Sequence, residues 1–182
     1  MKVIAGTHRG RALKGPAGKD VRPTTGRLRE SVFSALTHRF QGSLEGIRVA
    51  DVFAGTGAFG IEALSRGAAE AVFVENDRTM ARLLEENLRN FKLAERGKIV
   101  DADAKQLPRA EKPYDVIFLD PPYGQNLHSP AIASLQKQGW LSPETLVVAE
   151  REKRDPADWP EAREVRWLRQ GNRFVHFLYF KV

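Results

Sequence analysis

Apolar positions along this 182-residue chain change their period several times, and those changes mark its elements. Ile47 to Phe53, Ala71 to Glu75, Lys98 to Val100, Tyr114 to Leu119 and Thr145 to Glu150 are short, mainly apolar runs of strand length. Between them lie stretches with helical character: Phe59 to Arg66, Ser129 to Gln138, and Arg78 to Phe91 with Met80, Leu83, Leu84, Leu88 and Phe91 on one face. Strands alternating with helices from residue 47 onward predict a parallel sheet covered on both faces. Upstream, Leu28, Val32, Leu36 and Phe40 recur every four residues and predict one more helix. The turn Arg22-Pro23-Thr24-Thr25-Gly26 leads into it, with Thr24 or Thr25 as N-cap. Residues 1–20, broken by Gly6, Gly10, Gly15, Pro16 and Gly18, read as short strands or a hairpin with little core.

The tail departs from the alternation. Glu164–Leu168 and Phe174–Phe180 flank Gln170-Gly171-Asn172-Arg173, a β-hairpin pattern. Both alternating sets of the second run are apolar, so that strand is expected inside the sheet rather than at its edge. Neither a linker nor a repeat divides the chain, and one domain is expected over residues 1–182. It would comprise an arm and helix (1–46) followed by a sheet core (47–182).

Composition adds two exclusions and one direction. The absence of cysteine removes disulfides, zinc sites and thiol nucleophiles. No apolar run approaches the ~18–20 residues of a membrane span, and the N-terminus has no long apolar signal region, so a cytoplasmic protein is expected. The chain carries a net +6, yet residues 1–48 alone hold ten Lys/Arg against three Asp/Glu, a net +7. The positive charge therefore belongs to the arm and its helix, as in a polyanion-binding face. Arg9, Arg11 and Lys14 are the expected phosphate contacts.

Two motifs carry chemistry. Asp120-Pro121-Pro122-Tyr123 follows the strand that ends at Leu119. The Asp120 carboxylate and the Pro121 carbonyl can each accept one hydrogen of a planar amino group, while the Tyr123 face stacks on the attached ring. Accepting both hydrogens localises the nitrogen lone pair and aims it at an electrophile; a Pro-rich turn ending a strand is the plainer reading. Upstream, Asp51-Val52-Phe53-Ala54-Gly55-Thr56-Gly57-Ala58-Phe59-Gly60 fits a strand–turn–helix nucleotide loop. A nicotinamide dehydrogenase is the first alternative. Asp51 before the glycines suits a ligand's ammonium group, however, and no substrate domain follows. An acid before the glycines with a later Asp-Pro-Pro-Tyr resembles S-adenosylmethionine-dependent methyltransferases acting on nucleobase amino groups.

Ligands of open α/β sheets bind beyond the carboxyl ends of the strands, so acids there are candidates. Asp51, with Phe53, Gly55 and Gly57, belongs to the cofactor loop. Glu75, followed by Asn76, can accept both ribose hydroxyls. In Asp101-Ala102-Asp103-Ala104 the adenine amino group falls to Asp103 ahead of Asp101, with the Ala104 N–H on the neighbouring ring nitrogen. No metal is expected, since His8, His38, His128 and His176 lack ligand spacing. Trp140, Trp159 and Trp167 read as core or edge fillers.

Further residues narrow the resemblance. Ile4, Gly6, Arg9, Gly10 and Arg11 are joined to Arg22-Pro23-Thr24 and to Arg29, Glu30 and Phe33. Then come the block Phe53 to Gly67 and Asp-Pro-Pro-Tyr. In that order they resemble the RsmD family of bacterial 16S rRNA (guanine-2-amino) methyltransferases. The resemblance implies a class I methyltransferase fold, Rossmann-like, with seven mostly parallel strands and a closing antiparallel hairpin. It also implies S-adenosyl-L-methionine as cofactor, Arg22 and Thr24 at its methionine end, and one guanine of 16S rRNA, within the small ribosomal subunit or an assembly intermediate, as substrate. Gln170-Gly171-Asn172-Arg173-Phe174 stands where the family pattern calls for a Tyr-Gly-Asp-Thr-like turn. The competing functions are a DNA adenine amino-methyltransferase and a non-catalytic rRNA-binding assembly factor. The first would call for a DNA-recognition insertion; the second has no use for an intact Asp51, Glu75 and Asp120.

Overall fold

The computed structural model describes residues 1–16, 26–156, 159 and 161–182. Its strands show why short apolar runs suffice. In β1 (Arg48–Val52), Val49 faces one side of the sheet while Ala50 and Val52 face the other, and all three are buried. The same split recurs in β2 (Glu70–Val74), β4 (Val116–Leu119) and β5 (Leu146–Glu152). A strand buried on both faces reads as continuous apolar sequence, which is the mark of parallel strands under helices.

Seven strands lie in the order β3-β2-β1-β4-β5-β7-β6, with β3 at Gly97–Val100, β6 at Ala162–Gln170 and β7 at Arg173–Phe180. The first five pair in parallel, while β7 runs antiparallel to β5 and to β6. Because β7 lies inside the sheet, both of its faces are covered, which accounts for its doubly apolar pattern. The connection to β6 is the two-residue turn Gly171-Asn172, with Gly171 at φ +59°.

Helices α1 (Gly26–Arg39), α2 (Ala58–Ser65) and α3 (Arg78–Asn90) cover one face; α4 (His128–Lys137) covers the other with Trp140 and Leu141. Phe59 stacks on Phe118 with ring centroids 4.9 Å apart, and Phe33 adjoins Phe118 at 5.6 Å, so α1 and α2 meet over β4. Most boundaries fall within a residue or two of the expected ones. β4 starts late, at Val116, because Tyr114 turns aside to pack on Trp140 and Asp115 accepts the Arg48 N–H at 2.7 Å. β5 runs on to Glu152 because Arg151 and Glu152 keep partners Phe174 and Arg173 in β7. β6 is longer than its apolar stretch and carries an irregularity between Glu164 and Arg166.

The arm is a minimal hairpin, with Lys2 bridged to Ala12, folded against α2 and α3. The N–H groups of Ile4 and Ala5 donate to the two oxygens of buried Glu62, at 2.8 and 3.0 Å. Hydrogen bonds to a charged group contribute about 1.5–3 kcal/mol each, so this one carboxylate is a strong anchor. Arg29, fully buried, donates to the Lys2 carbonyl at 2.6 Å, and Arg66 donates to Glu62 at 2.7 Å. Gly6 has to be glycine: its φ is +82°, and a Cβ would stand 1.8 Å from the Ser65 carbonyl oxygen. Further on, Asn87 of α3 accepts the Lys14 N–H at 2.9 Å and donates to the carbonyls of Lys14 and Thr56. No helix among the described residues is long and apolar enough to cross a membrane.

Candidate active site

The carboxyl ends of β1, β2, β4 and β5 converge on one edge of the sheet, and each brings an acid or a tight turn there. After β1 the chain turns through Phe53 (φ +65°), Gly55 (φ +55°) and Gly57 (φ +80°) into α2. The glycines of this loop differ in what they face. A Cβ on Gly57 would lie 2.4 Å from Leu84 Cδ1, and one on Gly60 would lie 2.2 Å from Phe73 Cε1, so both are fixed by packing. A Cβ on Gly55 would meet nothing closer than Met80 Cε at 3.7 Å. Among the described residues Gly55 is therefore not fixed by packing as the other two are, and its bare backbone suits the cradle a nucleotide-like cofactor needs.

Two carboxylates hold this loop. Asp51 is buried, and its Oδ2 accepts the Gly60 N–H at 2.8 Å, one of the donors left over at the start of α2. Burial pushes its carboxyl up to about 7; the Gly60 N–H opposes that, the negative charge of Glu75 adds to it, and the Phe59 N–H opposes it again. A cation brought to Asp51 would relieve this strain. Glu75 accepts the Gly55 N–H at 2.8 Å through Oε2 and the Asp77 N–H at 2.8 Å through Oε1. Both oxygens thus point at the loop mouth with lone pairs remaining for hydroxyls. Asn76 is exposed, and Asp77 caps α3 through the Thr79 and Met80 N–H groups.

Beyond β3, Asp103 stands half-exposed, accepting the Lys105 N–H at 2.9 Å with the Lys105 ammonium 3.3 Å from its other oxygen. Ala104 is buried, and Asp101 is exposed. Arg22 and Thr24, and with them the expected N-cap, fall outside the described residues.

At the end of β4, Asp120 is partly buried, Pro121 is buried and Pro122 is exposed. Tyr123 is held from behind: its hydroxyl donates to Glu150 Oε1 at 2.8 Å. Arg173 donates to the same oxygen at 3.2 Å, and its guanidinium lies 5.7 Å from the Tyr123 ring centre. Burial, then the charges of Asp120 and Glu150, raise the Tyr123 hydroxyl above its ordinary value, so it stays protonated. His128 donates through Nε2 to the Glu150 carbonyl at 2.7 Å; burial lowers its ring below the usual value, and it is neutral. Asp155 closes the group, accepting the Gly124 and Glu152 N–H groups at 2.9 and 3.0 Å.

Glu150, Arg173 and Asp155 are absent from the sequence-based assignment. For Glu150 the signal was available, since it ends the fifth strand as Asp51, Glu75 and Asp120 end or follow theirs. Arg173 sits in the turn that departs from the family pattern, and the ion pair with Glu150 gives that departure a role.

The three expected phosphate contacts part company. Arg11 lies over the Phe91 ring, 4.5 Å from its centre, and donates to the Asn90 carbonyl at 2.6 Å. Lys14 pairs with Glu86 at 3.2 Å. The Arg9 side chain is exposed and has no hydrogen-bond or ion-pair partner among the described residues.

Comparison with known proteins places the chain in a family. The family described as "Conserved hypothetical protein 95" matches residues 1–179. Ribosomal RNA small subunit methyltransferase D of Haemophilus influenzae is 37% identical over 165 residues, covering 88% of this chain and 83% of the relative. The protein of the same name from Escherichia coli is 36% identical over 170 residues, covering 90% and 83%. The solved structure of Escherichia coli yhhF superposes with a TM-score of 0.83 at 32% identity, covering 100% of this chain and 98% of that one.

Proposed function

Since the chain belongs to the RsmD family, "Conserved hypothetical protein 95", we propose that the edge formed by Asp51, Glu75, Asp120 and Tyr123 is its methyl-transfer site. The reaction is S-adenosylmethionine-dependent methylation of the exocyclic 2-amino group of a guanine in 16S rRNA. The observation that carries the assignment is the placement of Asp120-Pro121-Pro122-Tyr123 beside the glycine loop, at neighbouring strand ends in the order β1-β4.

The cofactor fits the residues present. Gly55 leaves backbone accessible, Asp51 is a strained acid suited to an ammonium, and Glu75 offers two oriented oxygens to ribose hydroxyls. Asp103 and the Ala104 N–H would receive the adenine, with Phe53 and Asn76 beside the loop, and the family resemblance assigns Arg22 and Thr24, outside the described residues, to the methionine end. When bound, the cofactor supplies an electrophilic methyl group on a sulfonium.

The chain's own residues then act on the guanine. Asp120 and the Pro121 carbonyl accept the two hydrogens of the 2-amino group and release its lone pair from ring conjugation. They also stabilise the positive charge that develops on nitrogen during attack. Tyr123, fixed by Glu150 and Arg173, stacks on the base, and Pro122 stiffens the turn that carries it. Much of the acceleration comes from alignment. The surplus proton leaves to Asp120 or to water. A paired base cannot enter such a pocket, so the guanine must be unpaired or flipped out.

Residues 1–46 and 47–182 act as one unit in this reading, with Arg9 and the surrounding arm on RNA phosphates. The substrate is rRNA folded into the small subunit or an assembly intermediate, because so small a fold has little surface for reading sequence. The deciding experiment supplies methyl-labelled S-adenosylmethionine with unmodified small subunits, naked 16S rRNA or unmethylated DNA, and identifies the labelled nucleoside. Labelled 2-methylguanosine, formed faster on subunits than on naked RNA, is expected. Methyladenine from DNA would overturn the substrate, and equal rates on both RNAs would overturn the ribonucleoprotein preference.

A further inference from the structure

β6 is an edge strand, and edges are commonly guarded by charge. Its three arginines, Arg163, Arg166 and Arg169, fit that purpose. Trp167 does not: 55% of it is exposed, on a strand whose other side chains could cover it or replace it. Across the pairing with β7, Trp167 stands opposite His176 and Arg169 opposite Phe174, so the four share one face of the hairpin. On that face Trp167 and Phe174 have ring centroids 6.0 Å apart, and the Arg169 guanidinium lies 5.4 Å from the Phe174 ring centre. Behind them Phe174 stacks on His176 at 6.3 Å. The row is built from within and left open outward.

Its charge is open too. The acid of the strand, Glu164, is engaged by His176, while the Arg169 side chain bonds only a backbone carbonyl, that of Gly171, and has no ion-pair partner among the described residues. An exposed indole beside an unneutralised guanidinium group matches a base with its phosphate: the base stacks, and the phosphate takes the arginine. The hairpin is also continuous with the proposed site. Its turn opens at the same edge as the end of β5, where Arg173 holds Tyr123 through Glu150. β6 lies three strands from β4, roughly 14 Å across the sheet at about 4.8 Å per strand. Nucleotides flanking a base held at Tyr123 can reach that far.

We infer that the outer face of the β6–β7 hairpin, Trp167 with Phe174 and Arg169, is a stacking platform for unpaired rRNA nucleotides flanking the target guanine. The inference rests on the methyltransferase reading above. Trp167→Ala, Trp167→Phe and Arg169→Ala are compared with wild type in methyl transfer to small subunits and to naked 16S rRNA, with S-adenosylmethionine binding measured separately. Trp167→Ala should raise the KM for both RNA substrates about tenfold, Trp167→Phe should restore most of the loss, and cofactor affinity should stay within twofold throughout. An unchanged KM in Trp167→Ala, with wild-type protein labelling guanine normally, would overturn the platform and leave the methyltransferase reading intact. A defect on subunits with none on naked rRNA would assign the face to a ribosomal protein and overturn the RNA occupant. No guanine labelling by wild-type protein would overturn both readings.

Discussion

Between Asp51 and Glu75 the carboxylates are tied to backbone N–H groups of the segments that follow β1 and β2, while between Tyr123 and Arg173 side chains are tied to side chains across three strands. Asp51 reaches Gly60, nine residues on, and Glu75 reaches Gly55 and Asp77. On the other side Tyr123 reaches Glu150, 27 residues away, and Arg173 reaches the same acid from a hairpin 23 residues further along. Backbone N–H groups are supplied by any residue, so the glycine-loop half tolerates change in the side chains around it. The Tyr123 half is lost with any one of its side-chain partners, so in the proposed reading it is the part that can be tuned to a particular base.

The largest effect should come from the Tyr123 half. Asp120→Ala should reduce turnover by about 10²–10³-fold or more, with S-adenosylmethionine affinity within twofold by calorimetry; near-normal turnover would remove Asp120 from the reaction. The glycine-loop half should answer instead through affinity and pH. With its carboxyl near 7 in the unliganded protein, Asp51 is largely protonated at pH 6 and must lose that proton to receive an ammonium. Cofactor affinity should therefore rise with pH through about 7 and level off above it. Asp51→Asn should bind about tenfold more weakly at pH 8 and show a flattened profile; a wild-type profile in the variant would dismiss the contact. Without ligand, the same raised carboxyl lowers stability as pH climbs from the ordinary 3.8 toward 7, since the unfolded chain gives up its proton first.

A smaller effect separates stacking from orientation. Tyr123→Phe keeps the ring and loses the bond to Glu150, so the KM for RNA should rise several-fold while cofactor binding is unchanged. Its stability should fall by about 1–2 kcal/mol in denaturant. If KM holds, the Glu150–Arg173 pair serves the fold alone. The least effect is expected in the arm. Arg9→Ala should lower the salt slope of RNA binding by about one, whereas Arg11→Ala should mainly lower the melting temperature by exposing Phe91. A reversed result would exchange their assignments.

The sheet was legible because each parallel strand is buried on both faces and announces itself as an apolar run. The candidate acids were legible wherever a strand end coincides with a familiar local motif. Glu150 follows the same rule but is succeeded by Arg151-Glu152-Lys153-Arg154, a run that resembles solvated surface until β7 pairs with it. Arg11 was assigned to phosphate from the clustering of positive charge in the arm and Gly10 beside it, signals that cannot register that Phe91 and the end of α3 hold its guanidinium. Trp167 reads in sequence, with Trp140 and Trp159, as a core or edge filler; Trp140 is core, whereas the outward exposure of Trp167 depends on β6 having one strand neighbour, β7, among the described residues.

The docking of the arm also has a timetable. Its first residues leave the ribosome early, yet Glu62, Ser65, Asn87 and Asn90, which receive it, follow some 57–79 residues later. At about 5–20 residues per second, several seconds of synthesis separate the arm from its seat. A positively charged segment is thus tethered, unseated, beside the ribosome's own RNA each time the protein is made. The anchor that ends this interval is a carboxylate on α2 taking two adjacent N–H groups, so the arm's seat exists only once α2 has been made.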